Sequence, residues 1–240
     1  MISIEVNNLS KKYKNKFAVD NLSLSVNKGE IFSLLGTNGA GKTTTIKILS
    51  TLIEPTNGTA TIEGNDILNN KMNIREIINV SPQETAIASN LTVKENLEFM
   101  ADVYRVSNPK EKINELIDLF KLNDVLRQRG KTLSGGWQRK ISIAISLINE
   151  PRVLFLDEPT LGLDVITRKE LWKIIGNLKN KTTVILTTHY MEEAEFLSDR
   201  VAIMNKGKLI AIGTPEEIKV HAGKENFEDA FTSLVTGGEL

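Results

Sequence analysis

The chain has 240 residues, 40% of them hydrophobic, so it is long enough to bury a substantial core. Its 30 basic and 30 acidic residues cancel, which excludes an overall attraction to nucleic acid or to an anionic membrane. Without cysteine it forms neither disulfides nor thiolate metal sites. No apolar run approaches the ~20 residues that span a bilayer, so we expect a cytoplasmic protein that does not cross a membrane alone.

Two kinds of strand are predicted from the hydrophobic pattern. Apolar and polar residues alternate in Ile2–Val6 and in Leu22–Val26, which favours half-buried antiparallel strands near the N-terminus. Three later runs are almost continuously apolar, as is typical of parallel strands buried on both faces: Ile31–Leu35, Val153–Leu156 and Val184–Leu186. These runs predict a parallel core sheet.

Helices are predicted between the first and second of these buried strands. Thr92-Val93-Lys94-Glu95 is a capping box that opens one helix, and Asn108-Pro109 opens a second. A third helix begins near Ser134. The pattern predicts a helical subdomain over approximately residues 86–150, inserted into an α/β body.

A glycine-rich loop between a predicted strand and a predicted helix carries the strongest chemical signal. It has the pattern of Gly, four residues and Gly-Lys-Ser/Thr, whose backbone N–H groups converge on phosphate oxygens. Lys42 would add positive charge at the outer phosphates, and Thr43 would offer a hydroxyl to Mg²⁺. The alternative, a plain turn, is disfavoured by the strand-loop-helix context. The loop comprises Gly36, Thr37, Asn38, Gly39, Ala40, Gly41, Lys42 and Thr43.

Two carboxylates end the apolar run Val153–Leu156. At the C-terminal edge of a parallel sheet, Asp157 is placed to hold Mg²⁺ through water, and Glu158 to polarise the attacking water as general base. Taken alone, Asp-Glu-Pro-Thr is also a reasonable turn. The glycine loop favours the catalytic interpretation.

Four further residues gain meaning only in combination. Gln83, in a polar loop, could reach the metal or a water, or could simply be solvated. Asp164 could serve the function or cap the next helix. His189 ends a strand and could hydrogen-bond a γ-phosphate, although most such histidines are structural. Tyr13 could stack on an adenine or pack against the surface.

In this order, together with Leu133-Ser134-Gly135-Gly136, the motifs resemble the nucleotide-binding subunits of ABC transporters. The resemblance covers essentially the whole chain, and Ser-Gly-Gly shortly before the acidic strand is its most specific element. It implies one ABC ATPase domain over residues 1–240. The expected fold is α/β: a P-loop NTPase core with a parallel sheet, an N-terminal antiparallel β-subdomain and an inserted α-helical subdomain.

The resemblance also implies roles for individual residues. The loop 36–43, with Thr44, would bind the phosphates of ATP, and Tyr13 would stack on the adenine. Thr43 and Gln83 would meet Mg²⁺ together with Asp157. Glu158 would be the catalytic base, and His189 would be the switch that senses the γ-phosphate.

Partners follow from the same resemblance. Two ATPase subunits, identical or different, would pack head to tail, so that one subunit's Ser134, Gly135 and Gly136 face the ATP of the other and Asp164 communicates between them. Separate membrane permease subunits, and no nucleic acid, would complete the assembly on the inner face of the cell membrane. The stretch "THYMEEAEFLSDRVAIMNKGKLIAIGTPEEI" looks like the ATPases of drug, antibiotic or peptide exporters.

Two rival interpretations remain open at this stage. One is a soluble ABC ATPase that serves translation or iron-sulfur assembly without a permease. The other is a stand-alone P-loop enzyme that phosphorylates a small molecule, against which the Ser-Gly-Gly motif and His189 argue.

Three residues depart from the commonest family pattern: Thr37, Trp137 and Val165. At about 100° per residue, Trp137 is in phase with the apolar stripe of its helix, formed by Ile141, Ala144, Ile145 and Ile148. We therefore expect Trp137 to anchor the helix in the core rather than to contact the nucleotide. The three small residues before it are expected to form a serine-capped, phosphate-facing helix start.

Overall fold

The computed structural model describes residues 1–237, in which ten strands form two sheets. The strands are β1 (Ile2–Tyr13), β2 (Lys16–Asn27), β3 (Ile31–Gly36), β4 (Asn57–Ile62), β5 (Asn65–Asp66), β6 (Ile78–Ser81), β7 (Val153–Asp157), β8 (Thr183–Thr188), β9 (Arg200–Asn205) and β10 (Lys208–Gly213). The α-helices in the same range are α1 (Lys42–Leu49), α2 (Lys71–Ile77), α3 (Val93–Val103), α4 (Pro109–Phe120), α5 (Gly135–Ser146), α6 (Val165–Gly176), α7 (Met191–Leu197), α8 (Pro215–Ala222) and α9 (Phe227–Thr236).

The larger sheet is parallel at its centre. Its strand order is β10-β9-β3-β8-β7-β6, and β10 alone runs antiparallel to its neighbour. The three continuously apolar runs form the adjacent strands β3, β8 and β7, which confirms the predicted parallel sheet. Because adjacent parallel strands end at one edge, the loops after β3, β7 and β8 lie side by side.

The smaller sheet is antiparallel, with the order β2-β1-β4-β5. In its register Val6 of β1 lies opposite Leu24 of β2 and Ala60 of β4. All three side chains are buried, whereas Glu5 beside them is exposed. The alternation that predicted half-buried strands is confirmed.

The parallel sheet is buried on both faces, because successive residues of each strand enter different cores. Leu154 and Leu156 of β7 pack into a core shared with the helices between β6 and β7. Val153 and Phe155, one residue out of phase, pack into a second core shared with the antiparallel sheet. This sandwiching explains the lack of polar alternation in the buried strands.

The helices α3, α4 and α5 lie within residues 86–150, between β6 and β7. The Thr92 hydroxyl accepts from the Glu95 N–H at 3.2 Å, and the Glu95 carboxylate accepts from the Thr92 N–H at 2.7 Å, so the predicted capping box is confirmed. Val93, Leu97 and Phe120 join the core beneath them. Within residues 1–237, no helix is both long enough and apolar enough to span a bilayer.

A matched pair of glycines tests the packing of the smaller sheet. Gly58 in β4 has φ +84°, and a Cβ there would lie 2.3 Å from the carbonyl oxygen of Asn8. Gly64 has a similar φ of +78°, but a Cβ there meets nothing within 4 Å. Left-handed backbone costs a non-glycine residue about 1–2 kcal/mol, so Gly64→Ala should lower the free energy of unfolding by that amount. Gly58→Ala should lower it considerably more, as measured by urea denaturation; equal losses would contradict the packing described.

Candidate functional site: a phosphate loop facing two carboxylates

The glycine loop connects β3 to α1 at the C-terminal edge of the parallel sheet. α1 begins at Lys42, and its N-cap residue is Gly41, with φ +105°. A Cβ on Gly41 would lie 2.3 Å from the carbonyl oxygen of Ala18, so only glycine fits. Since the loop ends at a helix N-terminus, its backbone N–H groups and the helix dipole favour an anion.

Lys42 is buried, and its ammonium group is held at the mouth of the loop. Nζ donates to the carbonyl oxygens of Gly36 at 2.7 Å and Thr37 at 3.2 Å, and it lies 3.6 Å from Glu158 Oε1. Burial lowers the pKa of Lys42, while the charges of Glu158 and Asp157 act in the opposite direction. A cation in this position is suited to meet the outer phosphates of a nucleotide.

Asp157, at the end of β7, is 5% exposed and accepts two hydroxyl hydrogen bonds on Oδ1. Thr43 donates from α1 at 3.0 Å, and Thr187 donates from β8 at 2.5 Å. Across residues 1–237, no group of three or more His, Asp or Glu side chains could hold a metal ion alone. A hydroxyl next to one carboxylate nevertheless fits Mg²⁺, which is commonly bound by one or two carboxylates plus substrate phosphates.

Glu158 follows Asp157 in a left-handed conformation with φ +48°, which is uncommon for a non-glycine residue. The turn directs its carboxylate into the space between Lys42 and His189. One oxygen lies 3.6 Å from Lys42 Nζ, and the other lies 3.2 Å from His189 Nδ1. A carboxylate held here beside the phosphate loop can act as a base on a water molecule.

Lys42, Thr43, Glu158 and His189 line one cleft of about 670 Å³. Residues of β1 and β2 and of the loop after β6 also line it. Tyr13, half exposed, and Gln83, exposed, both line it. The sequence missed Phe17, a second aromatic on the same wall. The predicted site residues that line the cleft are Tyr13, Asn38, Gly39, Ala40, Gly41, Lys42, Thr43, Thr44, Gln83, Glu158 and His189.

Ser134, Gly135 and Gly136 do not line this cleft. They form the N-terminus of α5, which packs against the N-terminus of α6: a Cβ on Gly136 would lie 3.0 Å from Cγ2 of Thr167. Ser134 occupies the N-cap position, but its side chain makes no capping hydrogen bond, so the expected serine cap is wrong. Ser134 as a whole residue is exposed to solvent.

Asp164 caps α6, one of the two roles that the sequence left open. Its Oδ1 accepts from the N–H groups of Ile166 and Thr167, both at 3.0 Å, and its Oδ2 accepts from the Thr167 hydroxyl at 2.7 Å. Those hydrogen bonds, led by the Thr167 hydroxyl, lower the pKa of Asp164. The same Thr167 faces Gly136, so α6 is capped where α5 touches it.

Comparison with known proteins decides the family. The family profile described as ABC transporter matches residues 19–161, which is more than half of the chain. The chain belongs to the ABC transporter family. It is an ABC ATPase domain, and the phosphate loop and both carboxylates lie within the matched residues.

Two curated relatives and one solved structure illustrate the likeness. "Probable multidrug ABC transporter ATP-binding protein YbhF" of Escherichia coli (strain K12) is 39% identical over 240 residues, covering 97% of this chain but only 41% of YbhF. "Daunorubicin/doxorubicin resistance ATP-binding protein DrrA" of Streptomyces peucetius is 42% identical over 224 residues, covering 92% of this chain and 68% of DrrA. The dimeric ATP-binding cassette MJ0796, solved in a post-hydrolysis state with ADP and Pi, has a TM-score of 0.79 at 26% identity, covering 88% of this chain and 98% of that one.

Arg139 of the ABC ATPase was not singled out by the sequence. Its side chain, only 4% exposed, donates from α5 to the carbonyl oxygens of Pro82 at 2.6 Å, of Gln83, and of Glu158 at 3.4 Å. Burial lowers its pKa, which the charges of nearby carboxylates oppose. Arg139 thereby links α5, the helix that begins directly after Ser134, to the loop that contains Gln83. It lies opposite the apolar stripe of α5, so amphipathic periodicity could not reveal its burial.

Glu193 is a second buried charge that the sequence missed. It is fully buried in the first turn of α7, and its Oε1 accepts from Thr160 Oγ1 at 2.7 Å and Trp172 Nε1 at 2.9 Å. Burial raises the pKa of Glu193. The carboxyl therefore joins α7 to α6 and to the turn after Glu158.

Trp137 is partly buried and packs against the core that contains Ile141 and Ile148, which confirms the predicted anchoring. Lys140 Nζ lies 4.7 Å from the centroid of its ring. Trp137→Gln should therefore lower the free energy of unfolding by about 1–2 kcal/mol, as expected for a partly buried aromatic, and leave ATP hydrolysis intact. Urea denaturation and a steady-state ATPase assay measure the two effects. Complete loss of ATP-driven dimerisation in a folded variant would mean that Trp137 contacts nucleotide or partner instead.

Proposed function

We propose that the chain is the ATP-hydrolysing subunit of a membrane transporter, that two such subunits dimerise around two ATP molecules, and that they drive a separate permease. The observation that carries the proposal is that Lys42, Glu158 and His189 line one cleft, while Ser134 to Gly136 lie outside it. Asp157 lies behind that cleft and accepts a hydrogen bond from its lining residue Thr43. A phosphate loop with its own base can hydrolyse ATP. An exposed helix start elsewhere is available to a second subunit.

The positions of the side chains suit the successive steps of ATP hydrolysis. The loop N–H groups and Lys42 bind the β- and γ-phosphates, and Mg²⁺ held by Thr43, Asp157 and Gln83 would neutralise charge on the phosphate oxygens. Glu158 accepts a proton from a water molecule as its oxygen attacks the γ-phosphorus, and the bond to the β-phosphate oxygen breaks to release ADP. His189, 3.2 Å from Glu158, is placed to hydrogen-bond the γ-phosphate.

Dimerisation supplies the remaining phosphate contacts. The first turn of α5 offers backbone N–H groups of Gly135 and Gly136 and the uncapped hydroxyl of Ser134, which suit an anion. In a head-to-tail dimer this helix start faces the γ-phosphate bound by the other subunit, and Asp164 lies at the same contact. ATP then bridges the subunits, and its hydrolysis weakens the bridge.

The permease is proposed to dock on α3. Phe99 and Val103 are separated by one helical turn on one face and are 53% and 55% exposed, with Tyr104 beside them. Tyr104 also lines a neighbouring cavity of about 590 Å³ between α2, α4 and the residues that follow α5. An apolar helix of the permease fits this surface and would hold the chain at the inner face of the membrane. The names of YbhF and DrrA support export of drugs or antibiotics.

A substitution of Glu158 distinguishes the binding of ATP from its hydrolysis. Glu158→Gln keeps the shape of the side chain but cannot accept the proton, so ATP binding should remain while the hydrolysis rate falls at least about a hundredfold, the scale of a general base. Gel filtration with ATP should then show a trapped dimer. Glu192→Gln, on an exposed glutamate of α7, is the matched control and should behave like the wild type. A Glu158→Gln protein that hydrolyses ATP at the unmodified rate would overturn the assignment of the base.

A substitution on the exposed face of α3 distinguishes binding of the permease from ATP hydrolysis. Phe99→Asp places a charge on the α3 face and should abolish co-purification with a polytopic membrane protein, while the ATPase activity of the isolated chain is unchanged. Val220→Asp, at an apolar position of α8 that is 80% exposed, is the control and should co-purify normally. If no polytopic protein accompanies the wild-type chain from solubilised membranes, the transport proposal fails.

A further inference from the structure

Thr187 is a buried polar residue in the parallel sheet, next to the acidic end of β7. It lies near the end of β8, directly opposite Asp157 of β7 in the parallel register, and its exposure is 0%. The three residues before it, Val184 to Leu186, are apolar and equally buried. A hydroxyl at such a depth is costly unless it forms hydrogen bonds, and this one forms two.

Both hydrogen bonds go to the acidic pair. Thr187 Oγ1 donates to Asp157 Oδ1 at 2.5 Å and accepts from the backbone N–H of Glu158 at 3.0 Å. One oxygen atom thus holds the side chain of the first carboxylate residue and the backbone of the second. Since Thr43 donates to the same Oδ1, the rotation of the Asp157 carboxylate is fixed from two elements, α1 and β8.

The backbone contact matters because Glu158 is strained. Its φ of +48° costs a non-glycine residue about 1–2 kcal/mol and persists only where surrounding contacts hold it. The Glu158 N–H lies 3.0 Å from the Thr187 hydroxyl and 3.2 Å from the Thr187 carbonyl oxygen, so both of its acceptors come from one residue. That turn sets where the Glu158 carboxylate points relative to Lys42 and His189.

We propose that Thr187 is a positioning residue for ATP hydrolysis, whose hydroxyl fixes the metal-binding carboxylate of Asp157 and the base Glu158 relative to each other. The inference rests on the proposed function of those two carboxylates. Without the hydroxyl, the Asp157 carboxylate keeps only the Thr43 donor, and the Glu158 turn keeps only the longer carbonyl contact. Metal affinity and turnover both fall, whereas the nucleotide remains bound by the loop.

β8 supplies a matched control at its other end. Thr183 is 2% exposed, and its hydroxyl also makes two hydrogen bonds, accepting from the Gly29 N–H at 3.0 Å and pairing with Ser3 Oγ at 3.2 Å. It lies opposite Val153, at the start of β7. Thr183→Val and Thr187→Val therefore remove the same hydroxyl group from the same strand at similar burial. Thr187 lies beside the site, whereas Thr183 lies at the far end of the strand.

The test compares Thr187→Val, Thr187→Ser and Thr183→Val. Because partners that orient metal ligands are worth about 10- to 100-fold in metal affinity or activity, Thr187→Val should lower kcat and weaken Mn²⁺ binding in the presence of ADP by that factor. Mn²⁺ binding is measured by electron paramagnetic resonance. The KM for ATP should change little, and Thr187→Ser, which keeps the hydroxyl, should restore kcat. Thr183→Val should lose comparable stability in urea with unchanged kcat and Mn²⁺ affinity.

Two results would overturn the inference. One is an equal effect of Thr183→Val and Thr187→Val on every quantity, which is what a purely structural hydroxyl predicts. The other is a folded Thr187→Val protein with wild-type kcat and Mn²⁺ affinity. Glu158→Gln is measured alongside. If that variant hydrolyses ATP at the wild-type rate, the proposed role of Glu158 as the base fails. If Glu158→Gln loses hydrolysis as expected and only Thr187→Val is without effect, the positioning role alone fails.

Discussion

The parallel register of β3, β8 and β7 is the constraint on which the rest of the structure depends. Because these strands are paired in one direction, Gly36, Asp157 and Thr188 end at the same edge, and the loops that follow them share one cleft. Burial of the sheet on both faces keeps that edge rigid. The phosphate loop, the two carboxylates and the histidine belong to distant parts of the sequence, yet none can shift without moving a strand that two cores hold.

Much of this could be read from the sequence, because the signals were local or periodic. Continuous apolar runs indicated strands buried on both faces, and the capping box at Thr92 depends on four consecutive residues. Motif spacing located the cleft residues. The serine cap at Ser134 was wrong, because residue type predicts that a side chain is able to cap but not that it turns towards the helix. The roles inferred for Ser134 and Asp164 in a dimer concern a second chain and stay predictions.

The buried charges that the sequence missed, Arg139 and Glu193, share one property: each contacts segments far away in the chain. Arg139 reaches carbonyl oxygens of the Gln83 loop, and Glu193 reaches Thr160 and Trp172. Neither periodicity nor composition encodes such pairing, since the partners become neighbours only in the folded sheet. The pairing of Thr187 could be partly anticipated. Its hydroxyl lies at the end of an apolar strand, next to a strand that ends in a carboxylate, and a buried hydroxyl there needs an acceptor.

The contact between α5 and α6 has a mechanical consequence. Gly136 abuts Thr167, Thr167 is bonded to Asp164, and the buried Lys140 of α5 is paired with Glu170 of α6 at 2.7 Å. The two helix starts are therefore joined by direct contacts between neighbouring side chains, so a displacement of one start would strain its contacts with the other. In the proposed dimer, the helix start that faces one ATP would thus directly contact the helix start that carries Asp164.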